Sequence, residues 1–139
     1  MKLSVTNKKV LVKELHIIHD LMDRCETPED KMYYFSAVYG IANRIMNLEF
    51  NEELSFLHYV TNAAYNTINA ALAAAPQRRS TPTVPPQVFQ KLQDTVDELC
   101  TLIDEEKQTY PILEKISNLA YSTTGNGYYL YIKGSLKVS

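Results

Sequence analysis

Residues Leu54–Gln77, LSFLHYVTNAAYNTINAALAAAPQ, run for 24 positions without one Asp, Glu, Lys or Arg. His58 is the only titratable side chain among them short of the tyrosines. Leu54, Leu57, Thr61, Ala64, Ile68 and Ala71 step by 3, 4, 3, 4, 3, which lines one face of a helix. The alanine-rich second half has the highest helix propensity available. Asn51 offers an N-cap, Glu52 and Glu53 occupy the first turn, and Pro76 stops the run, so a helix is predicted over 52–75.

The opposite face of that helix carries Tyr59, Asn62, Asn66 and Asn69. A helix on the rim of a bundle normally shows Lys and Glu to water. These four groups hydrogen-bond but carry no charge. A membrane span is a poor fit, because the three Asn and His58 are costly in hydrocarbon. Three readings remain: a subunit contact, a stripe lining a ligand cleft, and a solvated helix that happens to lack charge.

Working outward, 139 residues with 45% hydrophobic content suit one globular domain. A net charge of −2 gives no electrostatic pull toward nucleic acid or an anionic membrane. Gly is scarce at 4 residues, which favours helices over a turn-rich β fold. Cys25 and Cys100 both fall on apolar helical stripes, which predicts buried free thiols. Lys8 and Lys9 are followed by only a short apolar run before Lys13; with no secretory signal, a cytoplasmic location is expected.

Met1–Thr6 alternates polar and apolar like a short strand, and Asn7 offers a cap for a first helix over 7–25. Leu11, Leu15, Ile18, Met22 and Cys25 form its apolar stripe. Thr27-Pro28-Glu29-Asp30 is a strong helix start, which predicts a second helix over 28–48. Its apolar positions make a wide arc, and Ser36, Gly40, Asn43 and Asn47 lie opposite. A proline-rich crossover follows over 76–86. Phe89, Leu92, Val96, Leu99 and Ile103 then make a heptad seam in a fourth helix over 86–121, kinked or ended at Tyr110-Pro111. The tail alternates aromatic and aliphatic residues, which predicts a β-hairpin over 127–138. The expectation is an all-α, antiparallel four-helix bundle of one domain with a small terminal β-ribbon.

Signatures for phosphate loops, dinucleotide sites, zinc proteases, redox dithiols and serine nucleophiles are all missing from the sequence. The only cluster with ligand chemistry is His16, His19, Asp20 and Asp23, spaced 3 and 4 apart on one helix. Two imidazoles and a carboxylate on one face suit zinc at about 2.0–2.2 Å, although a tight site needs a ligand from elsewhere.

Asp94-Thr95-Val96-Asp97-Glu98-Leu99 resembles a run in cobalamin adenosyltransferases, trimeric four-helix bundles that transfer adenosyl from ATP. The family's N-terminal ATP loop has no counterpart here, and Ile112–Tyr121 lacks the arginines of its arginine-rich helix. The resemblance therefore implies architecture and a tendency to oligomerise, and it carries over no catalytic residue. Two functions are expected from these readings. The first is a non-enzymatic bundle that self-associates or serves as an assembly subunit. The alternative is a cofactor- or metal-binding bundle related to that family, its small-molecule ligand unidentified.

Overall fold

The structure, a computed structural model, describes residues 1–74 and 84–124. Every regular element among them is a helix: α1 (Val5–Asp23), α2 (Pro28–Leu48), α3 (Glu52–Ala74), α4 (Pro86–Asp104) and α5 (Tyr110–Thr124). None of these helices is long and apolar enough to cross a membrane. The expected hairpin over 127–138 lies outside the described residues.

Local signals set most of the boundaries. Thr27 Oγ1 accepts from the Asp30 backbone N–H at 3.2 Å, and Pro28 begins α2. Asn51 Oδ1 accepts from the Leu54 N–H at 3.1 Å and starts α3. The amino terminus differs from expectation. Met1–Ser4 is not a strand, and Ser4 rather than Asn7 caps α1, its Oγ accepting from the Asn7 N–H at 3.3 Å. A four-residue alternation fits a strand or a helix approach equally well. Here Met1 and Leu3 are buried and Val5 is exposed, because the segment lies across the base of the bundle and then enters the helix. Cys25 falls beyond the end of α1 and is half-buried, whereas Cys100 is buried.

The expected fourth helix is two helices. α4 ends in a Schellman-type turn, with Glu106 at φ 57°. The Lys107 N–H donates to Leu102 O at 2.8 Å and the Glu106 N–H to Ile103 O at 3.2 Å, which satisfies the terminal carbonyls. Pro111 neither kinks nor ends a helix. It sits in the first turn of α5, where a missing N–H costs nothing. The carbonyl of buried Thr109 accepts from Ile112 and Leu113 at 3.1 and 3.0 Å.

The five helices close into a ring in the order α4–α1–α2–α3–α5, each packed on its neighbours. At the base, the Glu49 carboxylate accepts from the Ser4 N–H at 3.0 and 3.1 Å and from Asn7 Nδ2 at 2.8 Å. Glu53 Oε1 lies 3.3 Å from the Met1 ammonium, and Oε2 accepts from Thr109 N and Oγ1 at 3.0 and 2.8 Å. At the opposite end, Gln93 Nε2 donates to Asp23 at 2.7 Å and Lys31 Nζ donates to Gln93 Oε1 at 2.8 Å. These pairings place the starts of α1, α3 and α5 at one end, with the ends of α2 and α4. Neighbours around the ring are therefore antiparallel except α3 and α5, which run parallel.

The seam reads as expected from spacing. Leu15, Ile18, Phe35, Leu57, Ile68, Leu92, Val96, Leu99 and Ile103 are buried, and Tyr39 is half-buried. Two buried hydroxyls return to their own helices: Thr61 Oγ1 donates to Leu57 O and Thr95 Oγ1 to Leu92 O, both at 2.6 Å.

Leu99→Ala should cost about 2–5 kcal/mol by cavity formation, measured by denaturant unfolding. A loss below about 1 kcal/mol would place Leu99 outside the core. Glu106→Gly should instead stabilise the protein, by up to about 1 kcal/mol, because glycine enters the left-handed region without a Cβ penalty. A lower melting temperature for that variant would contradict the turn geometry.

Candidate functional site

The uncharged face of α3 lies on the surface of the single chain. Tyr59 is 49% exposed, Asn66 and Asn69 are exposed, and Asn62 is half-buried. Asn66 Nδ2 donates to Asn62 Oδ1 at 3.2 Å, so one amide orders the next along the helix. The stripe lines neither of the two cavities described below.

Its boundary with α2 is aromatic. Tyr39 meets His58 edge-on, with ring centroids 6.3 Å apart, and Tyr65 at 5.7 Å. Beyond that seam α2 continues the same chemistry. Tyr33, Asn43 and Asn47 are exposed, and Gly40 is half-buried with nothing within 4 Å of where a Cβ would stand. The small residues there leave open space rather than accommodate a backbone of this chain.

From Met32 to Gln77 the only charged residues are Arg44, Glu49, Glu52 and Glu53. Arg44 pairs with Glu14 of α1 at 3.6 Å, and the Glu49 carboxylate is taken up by Ser4 and Asn7 at the start of α1. Glu53 is used at the base, and Glu52 stands exposed at the first turn of α3. Asn43, Asn47, Tyr59, Asn66 and Asn69 thus belong to a polar surface whose charges, Arg44 and Glu52, stand at its edges.

The histidine cluster does not assemble. His16 is exposed; His19 Nδ1 is 3.4 Å from Asp20 Oδ1; Asp23 is engaged by Gln93. Among the described residues no group of three or more His, Cys, Asp or Glu is arranged to hold a metal ion. What occupies that end is a polar chain across three helices. Lys31 Nζ donates to Met22 O at 2.8 Å, at the negative end of α1, as well as to Gln93. Gln93 is buried, and an amide beside a heptad seam residue is the one sequence signal that marked it.

Cavities open on the surface at two places among the described residues. One, of about 700 Å³, lies at the α1–α2 turn and is lined by Arg24, Cys25, Asp30, Tyr33 and Tyr34 among others. The Cys25 thiol donates to Leu21 O at 3.1 Å. Burial, then Asp30, raises its pKa, with Lys31 opposing. Burial likewise pushes Cys100 up to about 12, with Asp97 adding to the shift. Both cysteines are therefore protonated thiols, and neither is an activated nucleophile. The second cavity, of about 550 Å³, is a groove between α4 and α5.

No protein-family model, curated protein or solved structure significantly matches the chain.

The Glu49 carboxyl is held below its ordinary value of 4.5, first by the Asn7 hydrogen bond and then by the Ser4 N–H. A depressed carboxyl stabilises the fold fully above its unfolded value, and that contribution is lost as pH falls through the lower folded value. Thermal unfolding followed from about pH 6 to about pH 3 should show wild type losing stability faster than Glu49→Gln once pH drops below about 4.5. Parallel curves would mean that the charge on Glu49 does not hold α1.

Proposed function

We propose that the protein is a non-enzymatic subunit that self-associates through the outer face of α2 and α3. The observation that carries this reading is the exposure of Tyr59, Asn66 and Asn69 on a helix with no charged side chain beyond its first turn. Subunit contacts are depleted of charge toward their centre and enriched in tyrosine. Asn amides add hydrogen bonds that a second chain can satisfy, and they are well solvated when that chain is absent. The engagement of Glu49 by Ser4 and Asn7 supports the reading, since it takes one of the hairpin's few charges to α1, while Arg44 lies at the α1 edge of the face, 3.6 Å from Glu14. A contact of this kind buries about 800 Å² per partner.

Asn66→Lys should shift the protein toward monomer in sedimentation velocity at micromolar concentration. An ammonium buried without a partner costs far more than the amide it replaces, so the dissociation constant should rise at least about tenfold. A monomeric wild type at that concentration would refute the proposal. So would an Asn66→Lys variant that associates as well as wild type.

A further inference from the structure

α5 ends at Thr124, and the chain goes on through residues 125–139. Those residues hold Tyr128, Tyr129, Leu130, Tyr131 and Ile132 in one run, and their only charged side chains are Lys133 and Lys137. An apolar run beside two cations, with no acid, is matched by a surface that is both apolar and acidic.

Such a surface adjoins α5. In the ring α5 packs on α3 at one side and on α4 at the other. α3 has no charged side chain beyond its first turn. On α4, Asp94, Asp97, Thr101 and Asp104 step by 3, 4 and 3 along one stripe, and Asp97 and Thr101 line the α4–α5 groove. The three aspartates of that stripe are exposed, and Lys91 is the one basic side chain on α4. Within the groove Lys115 lies 3.4 Å from Glu98 Oε1, so this pair offsets itself and Asp97 sets the sign. Leu102, Pro111 and Ile112 supply the apolar lining.

The reach fits as well. Ile112 lies about 18 Å from Thr124 along α5, at 1.5 Å per residue. Gly125 and Gly127 flank Asn126, and these residue types take the backbone angles that a reversal after a helix requires. From Tyr128 an extended chain gains about 3.3 Å per residue, so it returns to the level of Ile112 by Ile132 or Lys133.

We propose that residues 128–133 fold back over α5 and occupy the α4–α5 groove of the same chain. Leu130 and Ile132, on one side of an extended segment, cover Leu102, Pro111 and Ile112. Lys133 then stands against the aspartate stripe, between Asp97 and Asp104. The groove is the seat of the chain's own tail. The inference does not rest on self-association through α2 and α3, which lies on another side of the ring.

The test places a nitroxide at Ser135→Cys in the full chain. Cys25→Ser removes the half-buried thiol from labelling, and Cys100 is buried. Backbone amide signals should lose most intensity at Thr101 and Leu102 and over 112–115. A tail that does not dock takes its largest losses over 122–124, beside its attachment, and that pattern overturns the proposal. Losses centred over 59–69 of α3 overturn it too. Ile132→Asp should restore the groove signals. Asp97→Lys should reduce the losses, and adding Lys133→Glu should bring them back. Losses indifferent to Ile132→Asp or to both charge changes contradict the docking. In a one-to-one mixture of nitroxide-bearing protein and isotope-enriched protein without nitroxide, the groove signals of the enriched copy should keep their intensity. Loss there assigns the groove to the tail of a second copy and overturns the proposal.

Discussion

The carboxylate of Glu53 sits where three chain segments begin, and the closure of the helix ring depends on it. A ring of five helices cannot alternate direction all the way round, so one neighbouring pair must run parallel. Here the pair is α3 and α5, whose starts lie side by side. Two helix N-termini together concentrate positive partial charge, and the Met1 ammonium adds a full one. Glu53 answers all three. It is on the first turn of α3, it takes both donors of Thr109 before α5, and it lies against the ammonium. Thr109 and Met1 are buried beside it, which keeps water from screening the contact.

Once the base is tied in this way, charge is distributed unevenly around the ring. α1 presents both acids and bases to water, and α4 mostly acids, as rim helices do. The α2–α3 hairpin does not. Its arginine stands at the α1 edge, Glu49 and Glu53 are engaged at the base and Glu52 stays at the first turn of α3, so the middle of the outer face is left to tyrosine and asparagine. The neutral face is thus a by-product of where the few charges of this hairpin are used, and it is the surface on which the proposed self-association rests.

Much of the fold was legible from spacing because helix stripes are local. Thr27-Pro28 fixed the start of α2, and Leu92, Val96, Leu99 and Ile103 predicted the buried seam of α4. The failures have local causes as well. The end of α4 rests on Glu106 in a left-handed conformation that glycine would have advertised, and Pro111 suits a helix start as well as a stop. The candidate sites were less legible. His16, His19, Asp20 and Asp23 share a helix face by spacing, but Asp23 is claimed by Gln93, 70 positions away. No periodicity reveals a partner at that distance. The uncharged stripe was visible in sequence. Its exposure, and its continuation onto α2, depended on how the ring closes.

The account turns on whether the neutral face is covered in solution. Backbone amide NMR spectra of wild type, recorded from about 500 µM down to about 5 µM, test it most directly, since this range brackets a micromolar contact. The account predicts dilution shifts at Tyr59, Asn62, Asn66 and Asn69 and at Tyr33, Asn43 and Asn47 across the seam. Amides in those stretches that hold their positions over the whole range, with tumbling of a single 139-residue chain throughout, would contradict it.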